Sequence, residues 1–117
     1  MDAEPGTRER LLRDLARNRA ELAQLERDHA DLIEASRSSN ADDEHDPEGA
    51  TIAFEREQLA SIMTRVRRTI TDLNQAIADL DVGGYGLCDR CGQPIGAARL
   101  EIRPQARLCI DCARLKG

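Results

Sequence analysis

Residues 88–112 read CDRCGQPIGAARLEIRPQARLCIDC, and this stretch holds every cysteine in the 117-residue chain. Cys88, Cys91, Cys109 and Cys112 fall as C-x2-C, seventeen residues, C-x2-C. That spacing is a zinc signature. Two thiolates two residues apart sit on one tight turn and reach the same ion, and a second such turn completes a tetrahedral all-sulfur shell with Zn–S near ~2.3 Å. Four thiolates leave no open coordination position, so the expected ion is one structural Zn2+ and not a hydrolytic centre.

Other uses of paired cysteines fit the surroundings poorly. Met1 to Gly6 reads MDAEPG, without the apolar core of a secretory leader. No apolar run approaches membrane-spanning length. A cytoplasmic, membrane-free chain is therefore expected, where paired C-x2-C motifs bind metal more often than they form disulfides. Thioredoxin-like chemistry needs a βαβ setting that nothing here supplies. A redox-sensing zinc site, in which oxidation ejects the metal, is the remaining variant.

Working outward, Gly83, Gly84 and Gly86 separate the cysteine module from what precedes it. Such glycines end helices because they tolerate a left-handed C-terminal cap. Before them, residues 51–82 carry Ile52, Leu59, Val66, Leu73 and Leu80 every seven residues. Met63, Ile70 and Ile77 follow four residues after Leu59, Val66 and Leu73, and only Arg56 interrupts the second set. This is the regular heptad seam of a coiled coil. A second stripe of Leu11, Leu15, Leu22, Leu25 and Leu32 marks a helix over residues 8–37, with Thr7 as its N-cap and the polar Asn18 and His29 on the same seam. His29 is read as a partly exposed seam residue, since a closed four-cysteine site needs no fifth ligand.

Between the helices, residues 38–50 read SSNADDEHDPEGA, which is loop chemistry. Two amphipathic helices joined by about a dozen residues most simply fold back on each other. The expected fold is mostly α: a long antiparallel coiled-coil hairpin over residues 1–82 with its tip at 38–50, then a small four-cysteine zinc-finger module over 83–117. In that module a short strand pair is expected within 95–108. Ile95, Leu100, Ile102 and Leu108 supply its minimal apolar patch, and residues 110–116 form a short C-terminal helix. An intramolecular hairpin implies a monomer; an intermolecular coiled coil is the alternative.

Composition narrows function. Phe54 and Tyr85 are the only aromatics, so a large globular core is excluded. Residues 1–82 hold eleven bases against nineteen acids, net −8, while residues 83–117 hold six bases against three acids, net +3. An acidic hairpin does not wrap nucleic acid, whose affinity rests on phosphate neutralisation. The tip concentrates Asp42, Asp43, Glu44, Asp46 and Glu48 within seven residues, next to Ala50. Such a cluster either keeps a loop solvated or presents negative charge to a basic recess or a bound Mg2+ in a partner. No catalytic residue and no organic cofactor site is assigned. A two-helix hairpin offers little concavity, and His29 and His45 fall at mid-arm and tip.

The finger segment YGLCDRCGQPIGAARLEIRPQARLCIDCA, residues 85–113, resembles the DksA/TraR family of bacterial zinc-finger proteins. It carries that family's opening pattern at Tyr85 to Ile95, its R-L-x-x-x-P run at Arg99 to Pro104 and its closing C-x-x-C-A at Cys109 to Ala113. The resemblance implies a non-enzymatic transcription regulator that binds RNA polymerase. It would insert the coiled coil through the secondary channel and modulate initiation without binding specific DNA. Some members act with the alarmone ppGpp, which the resemblance therefore brings in as a partner. It further implies that the tip residues Asp42, Asp43, Glu44, Asp46, Glu48 and Ala50 face the partner. The family's Asp-x-x-Asp-x-Ala element is here Asp46-Pro47-Glu48-Gly49-Ala50, with Glu for Asp and the second acid one residue early. The competing reading is a nucleic-acid-binding zinc ribbon on a dimerising coiled coil, motivated by Arg90, Arg99, Arg103 and Arg107.

Overall fold

The computed structural model describes residues 5–39 and 47–116. Four helices follow in order: α1 (Thr7–Ser39), α2 (Pro47–Val82), α3 (Ala97–Ile102) and α4 (Ile110–Lys116). The Arg10 amide donates to the Gly6 carbonyl at 3.0 Å, so Gly6 and not Thr7 occupies the N-cap of α1. Helix α2 opens on Pro47. Proline suits this first position because its fixed φ is already helical and its missing N–H has no intrahelical partner to lose. The helices thus extend further toward their connection than the polar composition of residues 38–50 suggests.

The chain forms two compact units, Asn18–Arg68 and Met1–Arg17 with Thr69–Gly117. In the first, α1 and α2 run antiparallel along the heptad seam. Met63 and Val66 are buried. Asn18, Leu22, Leu25, His29, Leu32, Ile52, Arg56 and Leu59 are half-buried. Every described seam position is therefore turned away from solvent, His29 included. Arg67 lies 3.8 Å from Glu26 across the pair, an exposed contact of little energetic weight. Phe54, at 62% exposure, is off the seam and contributes nothing to the core.

In the second unit the start of α1 packs on the end of α2. Leu11, Leu15, Leu73, Ala76 and Tyr85 form one buried cluster, with Ile70, Ile77, Leu80 and Leu100 packed against it. Arg8 pairs with Asp81 at the same end. Leu11 and Leu73 are wholly buried, each worth about 1.5–3 kcal/mol of burial free energy. Helix α2 then ends in a Schellman motif. Gly83 takes φ 81, the Gly84 amide donates to the Asp79 carbonyl at 2.8 Å, and the Gly83 amide to the Leu80 carbonyl at 3.4 Å. Only a residue without Cβ adopts that left-handed geometry cheaply.

The strand pair expected within 95–108 does not form. Residues Ala97–Ile102 are helix α3 instead, and the one β-bridge among the described residues joins Leu87 to Pro94. Ala97, Ala98, Arg99, Leu100 and Glu101 are all strong helix formers, and this local preference decides where no neighbouring strand competes. The apolar patch is also smaller than expected. Ile95 is buried and Leu100 and Leu108 are partly buried, but Ile102 is 80% exposed. The short C-terminal helix is present as α4.

Replacing Leu73 by Ala should cost about 2–5 kcal/mol, because the surrounding helices cannot collapse fully onto the vacated volume. Denaturant unfolding followed by circular dichroism measures this. The same change at Phe54 should move stability by less than about 0.5 kcal/mol.

Candidate metal centre

The two C-x2-C turns are built differently. In the first, the Cys88 amide donates to the Gln93 carbonyl at 2.8 Å and the Gly92 amide to the Cys88 carbonyl at 2.9 Å. Gly92 holds φ 75, a conformation that lets the chain fold back immediately after Cys91. The Ile95 amide closes the turn on the Gly86 carbonyl at 2.8 Å. In the second, the Ala113 amide donates to the Cys109 carbonyl at 2.9 Å. Cys109 thus immediately precedes α4, and Cys112 lies in its first turn.

These turns bring the four Sγ atoms within 4.8 Å of one another. Cys91 Sγ and Cys109 Sγ are 3.9 Å apart. A tetrahedral shell at the usual Zn–S length sets sulfur–sulfur edges of about 3.8 Å, whereas a disulfide needs about 2.05 Å. The separation therefore fits a shared ion and not a crosslink. Cys88 and Cys112 are buried, Cys109 is half-buried and Cys91 is exposed, so the cluster is shielded from one side. Among the described residues these four are the group of side chains placed to hold a metal.

The thiols respond unequally to one another. Hydrogen bonds from the backbone at Cys91, Cys109 and Arg90 lower the Cys88 thiol to about 6, against a smaller opposing effect of burial. Burial and the neighbouring thiols of Cys109, Cys88 and Cys91 push Cys112 up to about 12. Four thiolates in so small a volume repel, and a dication offsets that repulsion. The donor set, four soft sulfurs in tetrahedral reach, matches Zn2+.

Side chains outside the cysteines lock the module in place. Tyr85, buried against Leu11, Leu15, Leu73 and Ala76, donates from its hydroxyl to the Pro104 carbonyl at 2.8 Å. Burial raises its phenol above the ordinary value despite the opposing charge of Arg10. Leu100 packs on the helix cluster and on the cysteine cluster alike. Arg99 Nε donates to the Leu108 carbonyl at 2.9 Å.

Arg107 bonds two carboxylates at once. Its Nε and Nη2 donate to the two carboxylate oxygens of Asp89 at 3.0 and 2.8 Å, and its Nη1 to Asp79 at 2.6 Å. Burial pushes the Asp79 carboxyl up, but hydrogen bonds from Arg107 and Gln75 with the Arg107 charge outweigh it and hold the group below its ordinary value.

The sequence located the four cysteines, but Arg107 entered there only with Arg90, Arg99 and Arg103 as the motive for the competing nucleic-acid-binding ribbon. Its ion pairs were not foreseen. Two carboxylates neutralise Arg107, and Arg99 is committed to a carbonyl, so two of the four ribbon arginines are engaged internally. The usable signal was opposite charge inside the motifs themselves, Asp89 between the first two cysteines and Arg107 two residues before the third. Of the tip residues, Asp42, Asp43, Glu44 and Asp46 lie outside the described residues, as does His45. Glu48 and Ala50 fall in the first turns of α2.

A four-cysteine knuckle pair fastened to the end of an antiparallel helix pair defines the class as a C4-type zinc-finger protein with a structural zinc ion. Residues 83–116 match the prokaryotic dksA/traR C4-type zinc finger. The chain is 32% identical over 104 residues to the RNA polymerase-binding transcription factor DksA of Caulobacter vibrioides, covering 89% of this chain and 63% of that protein. It is 45% identical over 51 residues to the protein of the same name from Haemophilus influenzae, covering 44% of this chain and 35% of the relative. The chain thus spans less than two thirds of these relatives' length. The structure of transcription factor DksA2 from Pseudomonas aeruginosa superposes with a TM-score of 0.71 at 26% identity, covering 94% of this chain and 79% of that one. No described helix is long and apolar enough to cross a membrane.

Removing the metal with a chelator should unfold residues 83–116, because metal binding supplies on the order of 10 kcal/mol in modules this small. Elemental analysis should return one zinc per chain, and Cys112→Ser should abolish it. Helical circular dichroism retained from α1 and α2 distinguishes a lost finger from a wholly unfolded chain.

Proposed function

We propose that this chain is a non-enzymatic, cytoplasmic transcription regulator that binds RNA polymerase. Cys88, Cys91, Cys109 and Cys112 are the ligands of its structural zinc. The α1–α2 pair enters the polymerase's secondary channel and brings the acidic connection toward the catalytic centre, where it changes the stability of initiation complexes. One observation carries the reading: the Caulobacter vibrioides relative, named an RNA polymerase-binding transcription factor, aligns across 89% of this chain, helices as well as finger.

The physical chemistry supports it. A heptad-paired helix hairpin is stiff, since every seam residue that leaves its partner re-exposes apolar surface. The five carboxylates at positions 42–48 give it a concentrated negative charge. Charge of this kind steers entry into a basic channel, and the association weakens as salt screens it. The tip residues Asp46 and Glu48 with Ala50 act on the polymerase centre, while the finger and the adjoining helix ends supply affinity. A monomer suffices, because α1 already covers the seam of α2. The pairing of Arg107 with Asp79 and Asp89 leaves less free positive charge for a nucleic-acid-binding ribbon.

A pull-down of RNA polymerase with the wild-type chain should succeed without added DNA. Asp46→Asn combined with Glu48→Gln should reduce the effect on transcription in vitro at least five-fold while changing polymerase affinity by less than two-fold. Equal loss of both activities counts against the separation of roles. Tight duplex DNA binding at physiological salt without polymerase would favour the ribbon reading instead. Repeating the transcription assay with ppGpp tests whether that nucleotide contributes.

A further inference from the structure

Arg107 touches two parts of the protein that chain order keeps apart, and the pattern of its contacts points beyond simple surface pairing. Its partner Asp89 sits inside the first cysteine turn, between Cys88 and Cys91. Arg107 itself lies two residues before Cys109, on the approach to the second turn. The two residues are joined twice, since the Asp89 amide also donates to the Arg107 carbonyl at 2.9 Å. Asp79, the third member, is in the last turn of α2, and its carbonyl accepts the Gly84 amide that closes that helix. One guanidinium therefore holds the first turn, the approach to the second and the capped end of α2 together. At about 20% side-chain exposure for both Arg107 and Asp79, the link is partly shielded from solvent.

We propose that Arg107 is a positioning residue that couples zinc occupancy to the end of α2. The chain of contact is short. With zinc bound, the first turn is fixed and Asp89 presents both oxygens to the flat guanidinium fork. Fixed on that side, Arg107 keeps its remaining N–H on Asp79. When the metal leaves, the first turn loosens, the bidentate pair opens and Asp79 loses its partner, in the turn where the Schellman cap ends the helix. Coupling of this kind is reciprocal. Whatever zinc contributes to the end of α2, an intact Asp79–Arg107 contact must return to zinc affinity. Outer partners of metal ligands typically alter affinity 10–100-fold, and a contact one step further out belongs at the low end of that range.

The inference rests on the four-cysteine zinc assignment, and its test separates the two. Zinc affinity of the full chain is measured by competition with a chromophoric chelator. Asp79→Asn should weaken zinc binding about ten-fold. Asp81→Asn removes the same charge two residues along α2, where the partner is Arg8 and not the finger, and should leave the affinity within two-fold of wild type. Hydrogen exchange of amides in residues 76–84 should accelerate on zinc removal in the wild type and be already fast in zinc-loaded Asp79→Asn. Should Asp79→Asn unfold the helix pair, Arg107→Lys keeps the charge but loses the fork and should show the same loss. A wild type that binds one zinc, with an affinity indifferent to Asp79→Asn and to Arg107→Lys, overturns the coupling alone. A wild type that binds no zinc overturns the metal assignment and the coupling together.

Discussion

Four thiol groups converging within 4.8 Å are the constraint on which the C-terminal part of this protein depends. Four thiols in so small a volume resist joint ionisation: burial and its neighbours raise the Cys112 thiol, while backbone donors lower that of Cys88. A dication turns that conflict into the main source of cohesion. Among the described residues the buried cluster around it comprises Cys88, Ile95, Ala106 and Cys112, with Leu100, Leu108 and Cys109 packed against it, so two of its four buried members are ligands themselves. There is too little apolar surface here to offset the entropy of ordering some thirty residues. The metal takes the place of a core.

The finger is nonetheless tied to the helices by more than chain connectivity. Tyr85, the one buried aromatic, inserts into the α1–α2 cluster and reaches over to Pro104, while Leu100 belongs to both clusters at once. Arg107 adds a polar tie to Asp79. A partly shielded ion pair is not a strong source of net stability, because desolvation offsets most of the Coulomb gain. Its contribution is geometric: a planar fork engaged on two carboxylates has few alternative orientations. Apolar contacts thus supply the cohesion between finger and helices, and the Arg107 network sets how the two meet.

In the proposed role the charge asymmetry of the chain has a purpose. The hairpin part is acidic and the finger part basic, with Arg107, one of the finger's six bases, paired to Asp79 and Asp89. An acidic probe is suited to a basic recess in a partner and unsuited to DNA. The connection carries Glu48 and Ala50 into the start of α2, so these two positions are held on a regular helix.

The amino-acid sequence by itself determined the helices and the metal. Heptad spacing from Ile52 to Leu80 and from Leu11 to Leu32 has one low-energy reading, because only a helix puts those residues on a single face. C-x2-C pairs likewise have few uses once the rest of the chain shows no βαβ pattern. Both signals are local and periodic, which is why they are legible. Tertiary structure decided what joins distant positions: that Tyr85 meets Pro104 and that Arg107 serves Asp79 and Asp89 in place of solvent. It decided too that, among the described residues, no strand lies beside Ala97–Ile102, which left the local helix preference of α3 unopposed. Leu100 and Ile102 are too few to show a period, so the strand pair expected within 95–108 had no periodicity behind it and does not form. A segment with no strand to pair with satisfies its backbone within itself, and Ala97–Ile102 does so as a helix.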